Sequence, residues 1–243
     1  MVNVNHESSS RSAAPPSKRD RARATRRRIT EAALGLFSGQ GYAATTMDGI
    51  AQDAGVAIQT VYFIFHTKAE LLIAALERAG GEPEAPEAVM DRAWIGEVLE
   101  APSSTRRLAL IVEHGNNIYR RVGPLLPAVS AAASVDPDVD RAWRDLVARR
   151  RAGMGRIIDV FAERRELREG LEPAIALDLL FGIHRAETYL AFTVECQWSE
   201  QRYKAWQFLT LARQLLPSAV AAAAASADDV ADVSFTTELR QFV

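Results

Sequence analysis

Cysteine is almost absent from this chain of 243 residues, with Cys196 as its single representative. One thiol cannot form an intrachain disulfide, so we expect a fold held by its hydrophobic core in a reducing, cytoplasmic environment. The four histidines show no HExxH or comparable spacing, and no CxxC pattern exists. We therefore predict neither a metal site nor a bound cofactor.

Long hydrophobic runs and catalytic motifs are missing as well. No stretch approaches the roughly 20 apolar residues that a helix needs to span a bilayer, so we predict no membrane partner. A nucleophile elbow, a glycine-rich phosphate loop and a paired-acid constellation are also absent from the sequence. Their absence predicts a protein that is not an enzyme.

The net charge is small, at −2, but the charges are unevenly distributed. Eight basic residues and a single acid, Asp20, occur between Arg11 and Arg28. The local field, rather than the total charge, attracts a phosphate backbone. A cationic N-terminal region on a nearly neutral protein is therefore compatible with nucleic-acid binding.

The apolar residues are spaced for helices almost throughout, which predicts an all-α fold. The first amphipathic helix has apolar residues at i, i+3, i+4, i+7 and i+8, on one face. These residues are Ile29, Ala32, Ala33, Leu36 and Phe37. Gly39 and Gly41 then end this helix.

A pair of short helices follows. Thr45, with Asp48 three residues later, fits a helix N-cap and its partner. Gly55 permits a sharp turn, and a second short helix is predicted over 57–65 with Val61 and Phe65 facing inward. Two short helices joined at a glycine form a helix-turn-helix.

The rest of the chain reads as further helices. A longer helix starts after a threonine cap at position 67 and ends at 80–81, and the Gly/Pro/acid-rich stretch 80–88 marks a junction. Later helices are predicted over 88–100, 103–121, 125–134, 137–166, 173–195 and 199–216. The alanine-rich residues that follow are compatible with a frayed helix or with disorder.

Together these pieces resemble the TetR family of bacterial regulators. The resemblance covers about residues 20–80 in the family's order: a basic lead-in, a first helix closing at LFSGQGY, then ATTMDGIAQDAGV, QTVY and FHTKAELL. Two pairs of residues depart from the usual pattern. Ala57 and Ile58 stand where a serine and a basic or small residue are more common, and Phe63 and Ile64 stand where polar residues are more common.

The resemblance implies an N-terminal three-helix DNA-binding domain with a helix-turn-helix, followed by a larger helical ligand-binding and dimerisation domain. The predicted organisation is a disordered tail over 1–17, the helix-turn-helix domain over 18–66, a connecting helix over 67–80, the ligand-binding and dimerisation domain over 81–216 and an alanine-rich tail over 217–243. In this family the last two long helices pack against their partner's copies as a four-helix bundle.

The second helix of a helix-turn-helix lies in the major groove, and its first residues meet base edges. This assigns Gln59 and Thr60 to base edges, and Tyr62 and Phe63 to the DNA backbone or to thymine methyl groups. The other candidates are basic or hydroxyl-bearing residues placed to meet phosphates. They are Arg26, Arg27, Thr45, Thr46, His66 and Lys68. For the two threonines, helix capping alone is the alternative.

Candidates for a small-molecule pocket are polar or aromatic residues within largely apolar helices of the second domain. They are Trp94, His114, Asn117, Tyr119, Phe161, His184, Glu187 and Tyr189. For each of them, a place in the core is the alternative role.

The predicted function is a homodimeric, DNA-binding transcriptional regulator that represses a palindromic operator and responds to a small molecule of unknown identity. Repression follows from the family's habit. The alternative is a ligand-independent DNA-binding or architectural protein whose C-terminal helices only dimerise. An enclosed apolar cavity in the second domain would distinguish the two.

Overall fold

The computed structural model describes residues 17–81, 93–224, 230–239 and 242, and within these ranges all regular elements are helices. The first unit comprises α1 (Lys18–Ala44), α2 (Met47–Ala54), α3 (Ile58–Ile64) and α4 (Lys68–Ala79). The second comprises α5 (Ala93–Glu100), α6 (Ser104–Val122), α7 (Leu126–Ala133), α8 (Pro137–Glu163), α9 (Pro173–Ile183), α10 (Ala186–Leu190), α11 (Glu200–Leu215), α12 (Ser218–Ala223) and α13 (Thr236–Leu239). No described helix is long and apolar enough to cross a membrane.

The basic region before Ile29 is helical. Ser17 caps α1 by accepting from the Asp20 backbone N–H, and the Asp20 carboxylate accepts in return from the Ser17 backbone, which forms a capping box. The predicted tail boundary is therefore wrong at Ser17; the rest of that tail lies outside the described residues. Gly41, with φ +79°, interrupts α1 where the glycine signal predicted its end.

The core of the first unit follows the predicted spacing. Ile29, Ala33 and Phe37 of α1 are buried, and Val61 and Phe65 of the α3 region close the core from the other side. Each large apolar side chain buried in this way contributes roughly 1.5–3 kcal/mol. The two short helices are thus held to α1 and α4 by their inner residues, and their outer residues remain free to face solvent.

The helix predicted over 173–195 is interrupted. His184 leaves the helical region with φ −91° and ψ 75°, so α9 ends at Ile183 and α10 starts at Ala186. A π-helical turn, Ala191–Glu195, follows α10. The break turns the His184 carbonyl toward α6, where the Tyr119 hydroxyl donates to it at 2.7 Å. The apolar periodicity contained no signal for this break, because it is stabilised by a residue 65 positions away.

The alanine-rich end of the chain packs on the second unit where it is described. Phe235 is buried against Phe208 of α11, with ring centroids 5.6 Å apart. The Lys204 ammonium bridges the Glu113 carboxylate at 2.8 Å and the Ser234 hydroxyl at 3.1 Å. A few large apolar residues among the alanines therefore anchor this segment to α6 and α11, which its average composition did not indicate.

Candidate DNA-binding surface and internal cavity

The helix-turn-helix starts one residue later than predicted. Thr46 is the N-cap of α2, because its hydroxyl oxygen accepts from the Gly49 backbone N–H at 3.0 Å. Thr45 is buried, and its hydroxyl donates to the Gly41 carbonyl at 2.7 Å. The prediction of Thr45 as a cap and a DNA contact is therefore wrong: the turn at Gly41 points its side chain back onto α1.

The turn between α2 and α3 has the predicted glycine geometry. Gly55 is left-handed, with φ 62° and ψ 43°, and its N–H bonds back to the last turn of α2. A side chain at this position would be strained. Ala57 occupies the N-cap of α3 and provides no side-chain cap, as expected from the departure from serine at this position.

The outer face of α3 carries the predicted contact residues. Gln59 is exposed, Thr60 is half-buried, and Tyr62 and Phe63 are 49% and 82% exposed. Large aromatic side chains rarely face water without a reason, and such exposure marks surfaces that bind a partner. The opposite face is held by Val61, which is fully buried.

Basic residues flank this face. The Arg26 guanidinium lies 4.3 Å from the centre of the Phe65 ring, which fixes it beside α3, while Arg27 is exposed and stands 4.0 Å from Glu31. Such an exposed pair is worth little, so Arg27 remains available to another anion. His66 has an exposed side chain just beyond α3.

Lys68, at the first position of α4, is less free than predicted. Its ammonium lies 4.2 Å from the centre of the Tyr42 ring, and burial lowers the pKa of Lys68. The Tyr42 hydroxyl in turn donates to Asp136 at 2.7 Å. This chain of contacts links α1, α4 and the start of α8, and thereby ties the first unit to the second.

The second unit contains a mostly apolar cavity of about 120 Å³. Its walls come from α4, α5, α6, the start of α7, α8 and α10. The lining residues are Leu76, Glu77, Gly80, Trp94, Ile95, Gly115, Ile118, Tyr119, Val122, Leu126, Trp143, Leu146, Arg150, Gly153, Met154, Ile157, His184, Ala186 and Glu187. The helix that leaves the helix-turn-helix, α4, is therefore also a wall of the cavity.

Four of the predicted pocket residues line this cavity: Trp94, Tyr119, His184 and Glu187. The other four do not. His114 lies behind the wall, with its ring stacked on Trp94 at 5.4 Å, and Asn117 faces away from the cavity. Phe161 is buried in a separate core beneath the Arg107 guanidinium, and the Tyr189 hydroxyl donates to Glu200 at 2.8 Å. The predictions for these four residues as cavity lining are wrong, because helical position alone did not tell which face meets the cavity.

A buried polar cluster supports one side of the cavity. Gln207 of α11 donates through Nε2 to the Tyr203 hydroxyl at 2.9 Å, and its Oε1 accepts from Asn116 at 2.7 Å. The same Oε1 lies 3.2 Å from His184 Nδ1, which assigns the ring proton to Nδ1. Burial lowers the pKa of His184 to about 4, so the ring is neutral at pH 7. Burial likewise raises the pKa of Tyr119 to about 12.

Gly115 makes room for this cluster. A Cβ at this position of α6 would lie 2.0 Å from His184 Nε2, far inside van der Waals contact. His184 cannot move aside cheaply, because it is buried and bonded to Gln207. Sequence reasoning did not single out Gly115, although a glycine in the middle of a helix costs about 1 kcal/mol and signals a close approach.

Three ionisable side chains with full charges line the cavity, and two of them are neutralised by neighbours. Glu77 is paired with Arg149 at 2.5 Å, and Glu187 accepts from Arg185 at 2.9 Å. Burial by itself would raise the pKa of Glu187, but the hydrogen bond and charge of Arg185, a backbone hydrogen bond and the charge of Arg150 together keep the pKa below its ordinary value. The third charge is Arg150, whose Nη2 lies 3.4 Å from the Tyr119 hydroxyl. Arg150 was not among the predicted residues.

The end of α4 is fastened to the cavity wall. Arg121 of α6 donates through Nε to the Ala79 carbonyl at 2.9 Å and through Nη2 to the Gly80 carbonyl at 3.2 Å. These carbonyls end the helix and have no partner within it. The end of α4 is therefore linked directly to α6, which also lines the cavity.

Comparison with known proteins agrees with this geometry. Residues 29–75 match the sequence profile of the family described as "Bacterial regulatory proteins, tetR family". The HTH-type transcriptional repressor KstR of Mycolicibacterium smegmatis is 36% identical over 120 residues, which are 49% of this chain and 55% of that protein. The match thus spans about half the length of this curated relative.

Solved structures share the fold over more of the chain. A protein from Mesorhizobium loti assigned to the TetR family superposes with a TM-score of 0.62 at 23% identity, covering 79% of this chain and 95% of that one. A protein from Saccharomonospora viridis, determined with choline, superposes with a TM-score of 0.60 at 18% identity, covering 79% and 97%. The family comprises regulatory proteins rather than enzymes. Residues 29–75 thus match the TetR family of bacterial regulatory proteins, and the helical fold of the chain is similar to that of proteins assigned to this family.

Proposed function

We propose that this protein is a ligand-responsive repressor that binds a palindromic operator as a homodimer and acts in the cytoplasm, where the DNA is. The observation that supports this most directly is the double role of α4, which follows the helix-turn-helix and also lines the cavity through Leu76 and Glu77. A cavity with one wall on this helix couples the two sites mechanically. The repressor name of the relative KstR points the same way.

On the DNA side, Gln59 and Thr60 contact base edges, and Gln59 is suited to pair with adenine through two hydrogen bonds. Tyr62 and Phe63 pack against thymine methyl groups or the sugar-phosphate backbone. Phosphates are contacted by the basic and hydroxyl side chains around α3. These are Arg26, Arg27, Thr46, His66 and Lys68.

For the dimer, the structure favours α9 and the π-helical turn over α11. Ile175 and Val194 are 51% and 64% exposed, whereas Leu209 of α11 and Leu216, just beyond it, are buried within the monomer. An isologous contact around Ile175 would place two α3 helices on half-sites roughly 34–36 Å apart or somewhat wider.

The effector must bind the state that cannot engage DNA more tightly than the state that can, since only differential affinity moves such an equilibrium. A molecule that fills the cavity shifts α6 and α4, and thereby the spacing of the two reading helices. A ligand-independent DNA-binding protein is the alternative, and the presence of the cavity favours the ligand-responsive form.

The test starts from genomic fragments selected by the purified full chain. We expect the selected fragments to share an inverted repeat, and sedimentation to give one dimer per repeat. Candidate effectors, chosen from the genes next to the recovered site, are then titrated against the complex. Fragments without a shared repeat would contradict the operator, and an operator affinity that no candidate changes would favour the ligand-independent alternative.

A further inference from the structure

The charge balance of the cavity indicates the chemistry of its ligand. Most of the wall is hydrocarbon, from residues such as Leu76, Ile118, Leu126, Leu146, Met154 and Ile157. An apolar wall of this kind binds the apolar body of a ligand, and its few polar groups decide which end the ligand presents to them. The charged ones among these polar groups lie on α4, α8 and α10.

The two acids of the wall have their charges balanced within the protein. Glu77 is bonded to Arg149 across the α4–α8 contact, and both carboxylate oxygens of Glu187 accept from Arg185, at 2.9 and 3.2 Å. An arginine that engages a carboxylate through two parallel bonds satisfies it geometrically as well as electrostatically. Each of the two acids thus already has an arginine as its ion-pair partner.

Arg150 differs from both acids. Among the described residues no carboxylate lies within salt-bridge distance of its guanidinium, and its contact is the Tyr119 hydroxyl at 3.4 Å, with the Tyr119 ring centre 5.8 Å away. The Tyr119 hydrogen is already donated to the His184 carbonyl, so this hydroxyl offers Arg150 a lone pair and no charge. His184 is neutral. Of the charged side chains that line the cavity, Arg150 is therefore the one without an ion-pair partner in the described part of the chain; the Glu187 carboxylate, already bonded to Arg185, interacts with it only at longer range.

We infer that the effector of this cavity is an amphipathic anion with a carboxylate end and a compact apolar body, and that Arg150 binds the carboxylate. This inference rests on the proposed function. The planar guanidinium matches a carboxylate with two parallel hydrogen bonds, and such bonds are strongest where the surroundings exclude water. A quaternary ammonium like the choline bound by the Saccharomonospora viridis protein would meet the charge of Arg150 and be repelled.

Three probes of equal length and different head groups test this: octanoate, 1-octanol and octylamine, each titrated by calorimetry into the full-length protein without DNA at pH 7.5. We expect octanoate to bind about ten- to a hundred-fold more tightly than 1-octanol, because a charge-assisted bond replaces a neutral one. Octylamine should bind more weakly than either. No detectable binding of octanoate, or a preference for octylamine, would overturn the inference.

Variants on α8 test whether Arg150 is responsible for the preference for octanoate. Arg150→Gln removes the charge and should bring octanoate to the affinity of 1-octanol, whereas Arg150→Lys keeps the charge and should retain part of the preference. Arg156→Gln removes the same charge from an exposed position of α8 outside the cavity and should leave the preference unchanged. A preference for octanoate that survives in Arg150→Gln would refute the role of Arg150.

A second readout separates this inference from the proposed function. Anisotropy of a labelled operator reports DNA release, whereas calorimetry reports binding alone. Octanoate bound through Arg150 without any release would support the inference and count against ligand-responsive repression. Equal release by octanoate and 1-octanol, unaffected by Arg150→Gln, would support repression by a ligand and overturn the anion specificity.

Discussion

The outer face of α3 and the polar cluster beside the cavity both depart from the usual placement of side chains. The first exposes aromatic residues to solvent, and the second buries polar ones. On α3, Phe63 and Tyr62 stand in solvent. In the cluster, His184, Gln207 and Asn116 are buried among hydrocarbon. A buried polar group is tolerated when it is hydrogen-bonded, and the cluster supplies most of its own partners; the Asn116 Oδ1 has none among the described residues. Tyr62 and Phe63 remain exposed instead, and this difference supports our proposal that the outer face of α3 is a recognition surface.

The largest expected effect comes from disturbing the cluster at its closest approach. Gly115→Ala places a methyl group on His184 Nε2 and must displace the ring from Gln207. We expect the free energy of unfolding to fall by about 3 kcal/mol, from overpacking and a lost buried hydrogen bond. Chemical denaturation measures this. Gly35→Ala in α1, where a Cβ meets nothing within 4 Å, is the control and should stabilise by up to about 1 kcal/mol. Equal effects of the two variants would show that the close contact is not rigid.

The pH dependence of stability tests the same cluster without a mutation. The pKa of His184 is lowered to about 4 from an ordinary value of 6.5, because burial disfavours the charged ring. Between these two pH values the unfolded chain therefore binds a proton on His184 more readily than the folded protein does. The free energy of unfolding consequently rises with pH across that range. The contribution of the neutral His184 to the free energy of unfolding is complete above pH 6.5. It is lost as the pH falls toward 4, by about 3 kcal/mol in all.

Denaturation at stepped pH measures this slope. His184→Asn should lose that part of the dependence, and the exposed His66→Asn should keep it. A slope that is the same in His184→Asn as in the wild type would place the titration elsewhere.

The recognition surface should respond in affinity rather than in stability. Gln59→Ala removes an exposed amide, so we expect the operator affinity to fall about ten- to a hundred-fold while the free energy of unfolding changes by less than about 0.5 kcal/mol. Phe63→Ala should behave in the same way with a smaller loss. Gln201→Ala, also exposed but on α11, is the control and should leave the affinity unchanged. The operator affinity is measured by the anisotropy of a labelled operator. An unaltered affinity in Gln59→Ala would contradict a role of α3 in base recognition.

The smallest expected effect is at the cap of α2. Thr46→Ala removes the bond to the Gly49 N–H and should lower the free energy of unfolding by about 1 kcal/mol. Thr46→Ser retains a hydroxyl and should restore most of it. If Ala and Ser had the same effect, the hydroxyl would not be acting as a cap.

The sequence was most informative where the structure is local. The helix-turn-helix could be predicted because its glycine at Gly55 and its apolar positions Val61 and Phe65 act within a few residues of each other. The cap was placed one residue early, at Thr45 instead of Thr46, since both are threonines and the distinction comes from the turn at Gly41. Only half of the predicted pocket residues line the cavity, because several helices must be docked before the inner face of each is known.

The sequence alone is enough to predict the helical periodicity, the glycine turn and the basic lead-in. Each of these depends on residues that are neighbours along the chain. The tertiary structure alone accounts for the break at His184, for the need for glycine at position 115 and for the lack of an ion-pair partner of Arg150 among the described residues. Each of these depends on atoms brought together from separate helices: α6 with the α9–α10 break, and α8 with the acids of α4 and α10. Such contacts between helices cannot be predicted from hydrophobic periodicity, since the periodicity shows which face of a helix is apolar but not which helix packs against it.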